Sequence, residues 1–157
     1  MTDQGIAKLE EFLLATAANG YANANVPTAA QADGSHQLVL EHGGYTMQDN
    51  WFGGEPFGGR EVVEKAGRAV WMMVYYGAIE DANEKPEDVY SALREALAQP
   101  TKALPVRGPE ILETRNGYTY EFNWTGNIDR FRGHELIRNP NNKVVYQCDV
   151  SGGVIDL

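Results

Sequence analysis

Asp49, Glu55, two tryptophans and a tyrosine fall between positions 49 and 75, in an order that can build an acidic, aromatic cleft. Asp49 stands two residues before Trp51, which opens the glycine-rich run WFGGEPFGGREVV, Trp51 to Val63, carrying Glu55. Trp71, Met73 and Tyr75 then alternate along VWMMVYYGAI. A carboxylate set among aromatic rings suits an organic cation, attracted by charge and by ring faces. A carboxyl withdrawn from water can also serve as a general acid or base near neutral pH. Asp49 is the anomaly: strand alternation places it on one face with Tyr45, Met47 and Trp51, where a bare carboxylate is costly to bury. Either it is a functional group or its charge is met by backbone amides. Arg107, in the stretch QPTKALPVRGP, is the cation placed to join this group.

Other chemistries find no footing. His36 and His42 share strand parity but are separated by about 20 Å of extended chain, so no metal site is expected, and no cofactor. No nucleophile elbow, phosphate-cradling loop or dinucleotide fingerprint is present. Cys148, the single cysteine, aligns with apolar positions and is read as an inert core thiol.

The elements that must position these residues come from a repeat. GYTMQDNWFG, Gly44 to Gly53, matches GYTYEFNWTG, Gly117 to Gly126, at six of ten positions. The match continues from Phe57–Val63 to Phe131–Ile137 and from Val70–Ile79 to Val145–Val154. Each copy opens with an amphipathic helix, the first capped by Asp3 and stopped by a left-handed Gly20, the second started at Pro86. Four strand-like segments follow each helix, with Gly43-Gly44 and Asn116-Gly117 closing tight hairpins. The expected fold is therefore α+β: an internally duplicated α-β-β-β-β unit, antiparallel with two packed helices and a pseudo-twofold. It forms one domain, 1–157, whose repeats span about 3–80 and 84–157.

Positions shared by both copies are read as scaffold. Trp51 and Trp124 would pack the core, each costing about 3 to 5 kcal/mol on truncation to Ala. Glu61 and Glu135 would cap backbone amides. Asp49, by contrast, faces a phenylalanine in the second copy, and Glu55 has no equivalent. The strand Val70–Tyr76 is apolar on both faces, as a covered central strand is; its aromatics are otherwise placed to line a pocket or a homodimer surface. The segment Tyr21 to Ser35 is a long connection without periodicity.

The net charge of −9, with 22% charged and 43% hydrophobic residues, describes an ordinary folded chain. Basic residues are scattered, which argues against direct nucleic-acid binding. No apolar run reaches the length of a membrane span and no signal peptide is read, so a cytoplasmic location is expected.

The run Gly53, Gly54, Glu55, Phe57, Gly59, Glu61, the strand Trp71, Met73, Tyr75, Gly77 and the turn Arg107, Gly108, Pro109 resemble a family by its motifs. It is a bacterial family of uncharacterised domains, found alone or behind helix-turn-helix regulators, with G-G-E-x-F-x-G-x-E, W-x-M-N-Y-x-G and R-G-P elements. Val74 departs from it, standing at the asparagine. The resemblance implies no established activity; it suggests a Glu55–Arg107 charge pair and a sensor role in fusions. The leading expectation is a small-molecule ligand bound by Asp49, Trp51, Glu55, Trp71, Met73, Tyr75 and Arg107. The alternatives are a cofactor-independent isomerase, cyclase or hydrolase using Asp49 or Glu55 as acid or base, and an acidic protein-interaction module.

Overall fold

The computed structural model describes residues 2–155. Helix α1 (Asp3–Thr16) buries Leu9, Phe12 and Leu13 along one stripe, as residues three and four apart share a face. Its cap is Thr2, whose hydroxyl accepts the Gly5 N–H at 3.2 Å; Asp3 is the first helical residue rather than the cap. The helix ends through a 3-10 turn, Ala17–Asn19, and Gly20 is not left-handed, with φ −84° and ψ −139°. Helix α2 (Pro86–Leu97) starts on Pro86, carries Glu87 and Asp88 in its first turn, and buries Val89, Ala92, Leu93, Ala96 and Leu97. Proline there sacrifices no helical hydrogen bond, and the acids meet the positive helix end.

The strands are β1 (Ala29–Ala30), β2 (His36–His42), β3 (Tyr45–Gly53), β4 (Phe57–Lys65), β5 (Arg68–Ile79), β6 (Ile111–Glu113), β7 (Thr119–Asn127), β8 (Arg130–Arg138) and β9 (Val144–Val154). They form one nine-stranded sheet in the order β1-β2-β3-β4-β5-β9-β8-β7-β6. Every pairing is antiparallel. Together with the two helices this is an α+β architecture. Gly43 and Gly44, at φ 59° and 80°, close β2 onto β3 as their types predict. The Asn116-Gly117 expectation fails in detail: the β6–β7 connection runs from Thr114 to Tyr118 and only Gly117 takes positive φ. The stretch Tyr21 to Ser35 is not wholly irregular either, since β1 within it pairs with β2.

The core lies between the helices and one sheet face, where Leu38, Tyr45, Met47, Val63, Trp71 and Met73 meet Leu9, Phe12, Leu13 and Leu93. Trp71 is fully enclosed, its indole N–H donating to the Ile128 carbonyl at 3.1 Å and its ring stacked on Phe131. The opposite face is open. Val74 is 44% and Tyr76 61% exposed, so β5, although central, is not covered on both sides as its sequence suggested.

Candidate functional site

A cavity of about 170 Å³ opens between the first strands of the sheet and the ends of the helices. Its floor is β3, β4 and β5, through Met47, Asp49, Trp51, Phe57, Glu61 and Tyr75. Leu13 and Thr16 of α1, Leu93 and Leu97 of α2, and the linker residues Pro105, Val106 and Arg107 form its walls and roof. Tyr21 and the turn glycines Gly53 and Gly54 stand where it meets solvent. An enclosed space of about 150 Å³ is enough for benzene, so the volume suits a compact organic molecule.

Three polar groups converge on the floor. Asp49 on β3 is directly opposite Glu61 on β4, which places their Cβ atoms about 5 Å apart. Asp49 is 6% exposed and accepts a 2.6 Å hydrogen bond from the Tyr75 hydroxyl. That bond depends on Gly59, which lies between Trp51 and Tyr75 in the strand register. A Cβ at Gly59 would stand 2.5 Å from the Tyr75 hydroxyl oxygen, so only glycine lets the ring cross β4 to reach β3. Burial pushes the Asp49 carboxyl up to about 6, against the opposing pull of the Tyr75 bond and of Arg107. Glu61 is pushed further, to about 8, first by burial and then by the charges of Asp49 and Glu135, with Arg107 acting the other way. Glu61 accepts no hydrogen bond from any described residue, and what surface it keeps belongs to the cavity wall. Two facing carboxyls in a mostly apolar space cannot both ionise cheaply.

Arg107 is already committed. Its Nε and Nη2 donate to Glu135 at 2.9 and 2.7 Å, a two-pronged pair with Arg107 7% exposed and Glu135 fully enclosed. Glu135 also accepts the Tyr120 hydroxyl at 2.5 Å. Burial works against the Arg107 charge, but Glu135 outweighs it and holds the guanidinium protonated. Arg107 then reaches over the Tyr75 ring, 5.9 Å from its centroid.

The structure thus brings Asp49, Trp51, Tyr75 and Arg107 to one cavity and leaves Glu55, Trp71 and Met73 outside its lining. Trp71 and Met73 are core residues with no exposed surface. Glu55 sits on the β3–β4 turn, where it accepts the Ile79 N–H at 2.8 Å and the Tyr90 hydroxyl, clasping that turn to α2. The Glu55–Arg107 pair that the resemblance suggested does not form. Trp51 and Trp124 are half-buried rather than core, stacked on His36 and Phe122 respectively. The residue sequence reasoning missed is Glu61, read as a capping scaffold position. Its parity with Val63 and its place across from Asp49 were the available signals. Cys148 is enclosed, and burial pushes its thiol up to about 12. Among the described residues no cluster of His, Cys, Asp and Glu could hold a metal ion, and no helix is long and apolar enough to cross a membrane.

One family model, described as a domain of unknown function (DUF5680), matches residues 49–155, from Asp49 through the last strand. No curated protein and no solved structure matches the chain.

Proposed function

The chain belongs to this family of domains of unknown function, and we propose that it binds a small organic molecule in the cavity between β3–β5 and the helices. The observation that carries this reading is Glu61, a carboxyl with no hydrogen-bond partner among the described residues, in a space whose walls are largely apolar, Leu13, Leu38, Met47, Leu93 and Val106 among them. A fold that needed only stability would place an apolar side chain there, since a half-buried carboxyl without a partner against apolar walls costs free energy. Cavities that are mostly apolar with a few convergent polar groups are where small ligands bind.

A second reading, cofactor-independent acid–base catalysis, draws on the raised carboxyl of Asp49, which at about 6 titrates close to neutral pH beside the Tyr75 hydroxyl. We read the strand order, in which β2-β3-β4-β5 is mirrored by β6-β7-β8-β9 about the β5–β9 pairing, as support for the duplicated unit and pseudo-twofold. The site then occupies one copy: Asp49 stands where the other has the buried Phe122. Behind a helix-turn-helix regulator, such a site would act as a ligand sensor.

The test is a thermal-shift screen of small organic compounds, followed by titration of the best ligand into Asp49→Asn and Asp149→Asn. Asp49→Asn should weaken binding by about tenfold or more, while Asp149→Asn, exposed on the open face, should match the parent. An effect confined to Asp149→Asn would place the site elsewhere.

A further inference from the structure

Charge matching within the cavity narrows what it can hold. Arg107 is the only cation among the lining residues, and Glu135 already neutralises it through two parallel hydrogen bonds. Asp49 and Glu61 are left facing each other across neighbouring strands with no cation of their own. We propose that this carboxyl pair receives the ammonium group of a small organic amine, about one ring in size, whose body lies against Trp51, Phe57 and Tyr75. The inference rests on the reading of the cavity as a ligand site and names the ligand class.

Each alternative charge fits worse. An organic anion would approach two carboxyls whose only nearby cation is spent. A neutral molecule would leave the pair competing for one proton. An ammonium group offers three donors and can bridge both carboxylates with charge-assisted bonds, which are shorter and stronger than neutral ones. The aromatic walls add ring faces suited to a cation, and Phe57 and Tyr75 already lie with centroids 6.1 Å apart.

The amine must enter as the cation, and a proton must leave. Glu61 faces Asp49 from β3, Tyr75 from β5, Arg107 from the linker after α2 and Glu135 from β8; Tyr21 closes the set at the mouth. The helices contribute only apolar side chains and Thr16 to the lining. Burial and the Asp49 charge keep Glu61 protonated at neutral pH in the ligand-free protein. When the ammonium arrives, the Glu61 O–H bond breaks, the electron pair stays on the carboxylate and the proton passes to buffer.

The experiment is calorimetric titration of the full chain with benzylamine, benzyl alcohol and benzoate near pH 7, in two buffers of different ionisation enthalpy. Benzylamine should bind at least about tenfold more tightly than either analogue and release about one proton per site. Glu61→Gln should abolish that release and cut benzylamine affinity by about tenfold, while its cooperative urea unfolding shows an intact fold. An amine preference below about tenfold, or proton release that persists in Glu61→Gln, overturns the amine assignment while the cavity reading stands. If none of the three binds at millimolar concentration, the assignment and the cavity reading fall together.

Discussion

Replacing Glu61 with glutamine removes one titrating group without changing shape, and the structure fixes the sign of the resulting change in stability. The carboxyl is raised from an ordinary 4.5 to about 8 by burial and by its neighbours. Between those values the folded chain holds a proton that the unfolded chain has lost, so stability falls as pH rises. A single group with these values costs about 3 kcal/mol of stability at pH 7 relative to acid, and about 2 kcal/mol of that arises between pH 5 and pH 7. Asp49, raised to about 6, acts in the same direction. Because the two carboxyls repel each other, their effects do not add, and removing Glu61 also relieves Asp49. Glu61→Gln should therefore become more stable than the parent as pH rises, the gap widening by about 2 kcal/mol from pH 5 to pH 7. For a chain of this length that is about 4 to 8 °C in Tm. Urea unfolding of both proteins at several pH values measures it, and carboxylates depressed in both, such as Asp81 held low first by Lys143, cancel in the difference. A constant offset between the proteins, or a gap that closes as pH rises, would refute the account.

Arg107→Met leaves Glu135 enclosed without its cation and should cost about 3 to 5 kcal/mol; Arg107→Lys should recover little, because an ammonium cannot form the two parallel bonds. Both are read from urea midpoints; near-parent stability of Arg107→Met would show that Tyr120 and Tyr146 alone satisfy Glu135, and near-parent stability of Arg107→Lys that a single ammonium bond suffices. Among the tryptophans, Trp71→Ala should cost about 3 to 5 kcal/mol, and Trp51→Ala and Trp124→Ala about 1 to 2 kcal/mol because both keep accessible surface. The reverse order would mean that the stacked, half-exposed rings carry the core.

Hairpin order, helix faces and the inward set Tyr45, Met47, Asp49 and Trp51 were legible because local periodicity encodes them. Asp49 stood out as a polar letter on an apolar face, and the structure does place it on the cavity floor. Depth was not legible. Trp51 and Trp71 share residue type and an inward direction, yet one faces the cavity and the other is closed over by Ile128 and Phe131 of the β7–β8 hairpin. Glu61 and Glu135 were indistinguishable as letters. Arg107, arriving from a distant linker, turns towards Glu135 and leaves Glu61 alone, and no window around either glutamate contains that information. Glu55 was misread for a related reason: its partners, Ile79 and Tyr90, belong to segments far along the chain.

A cavity of about 170 Å³ also bears on how long the protein survives. Its apolar walls, left facing the solvent that enters beside Tyr21 and the turn glycines, forgo part of the burial that holds a domain of this length folded. A ligand that fills the space restores part of it, and mass action then ties the unfolded fraction to ligand concentration. Since unfolded chains are the ones proteases remove, the amount of this protein in a cell would then rise and fall with the supply of such a ligand.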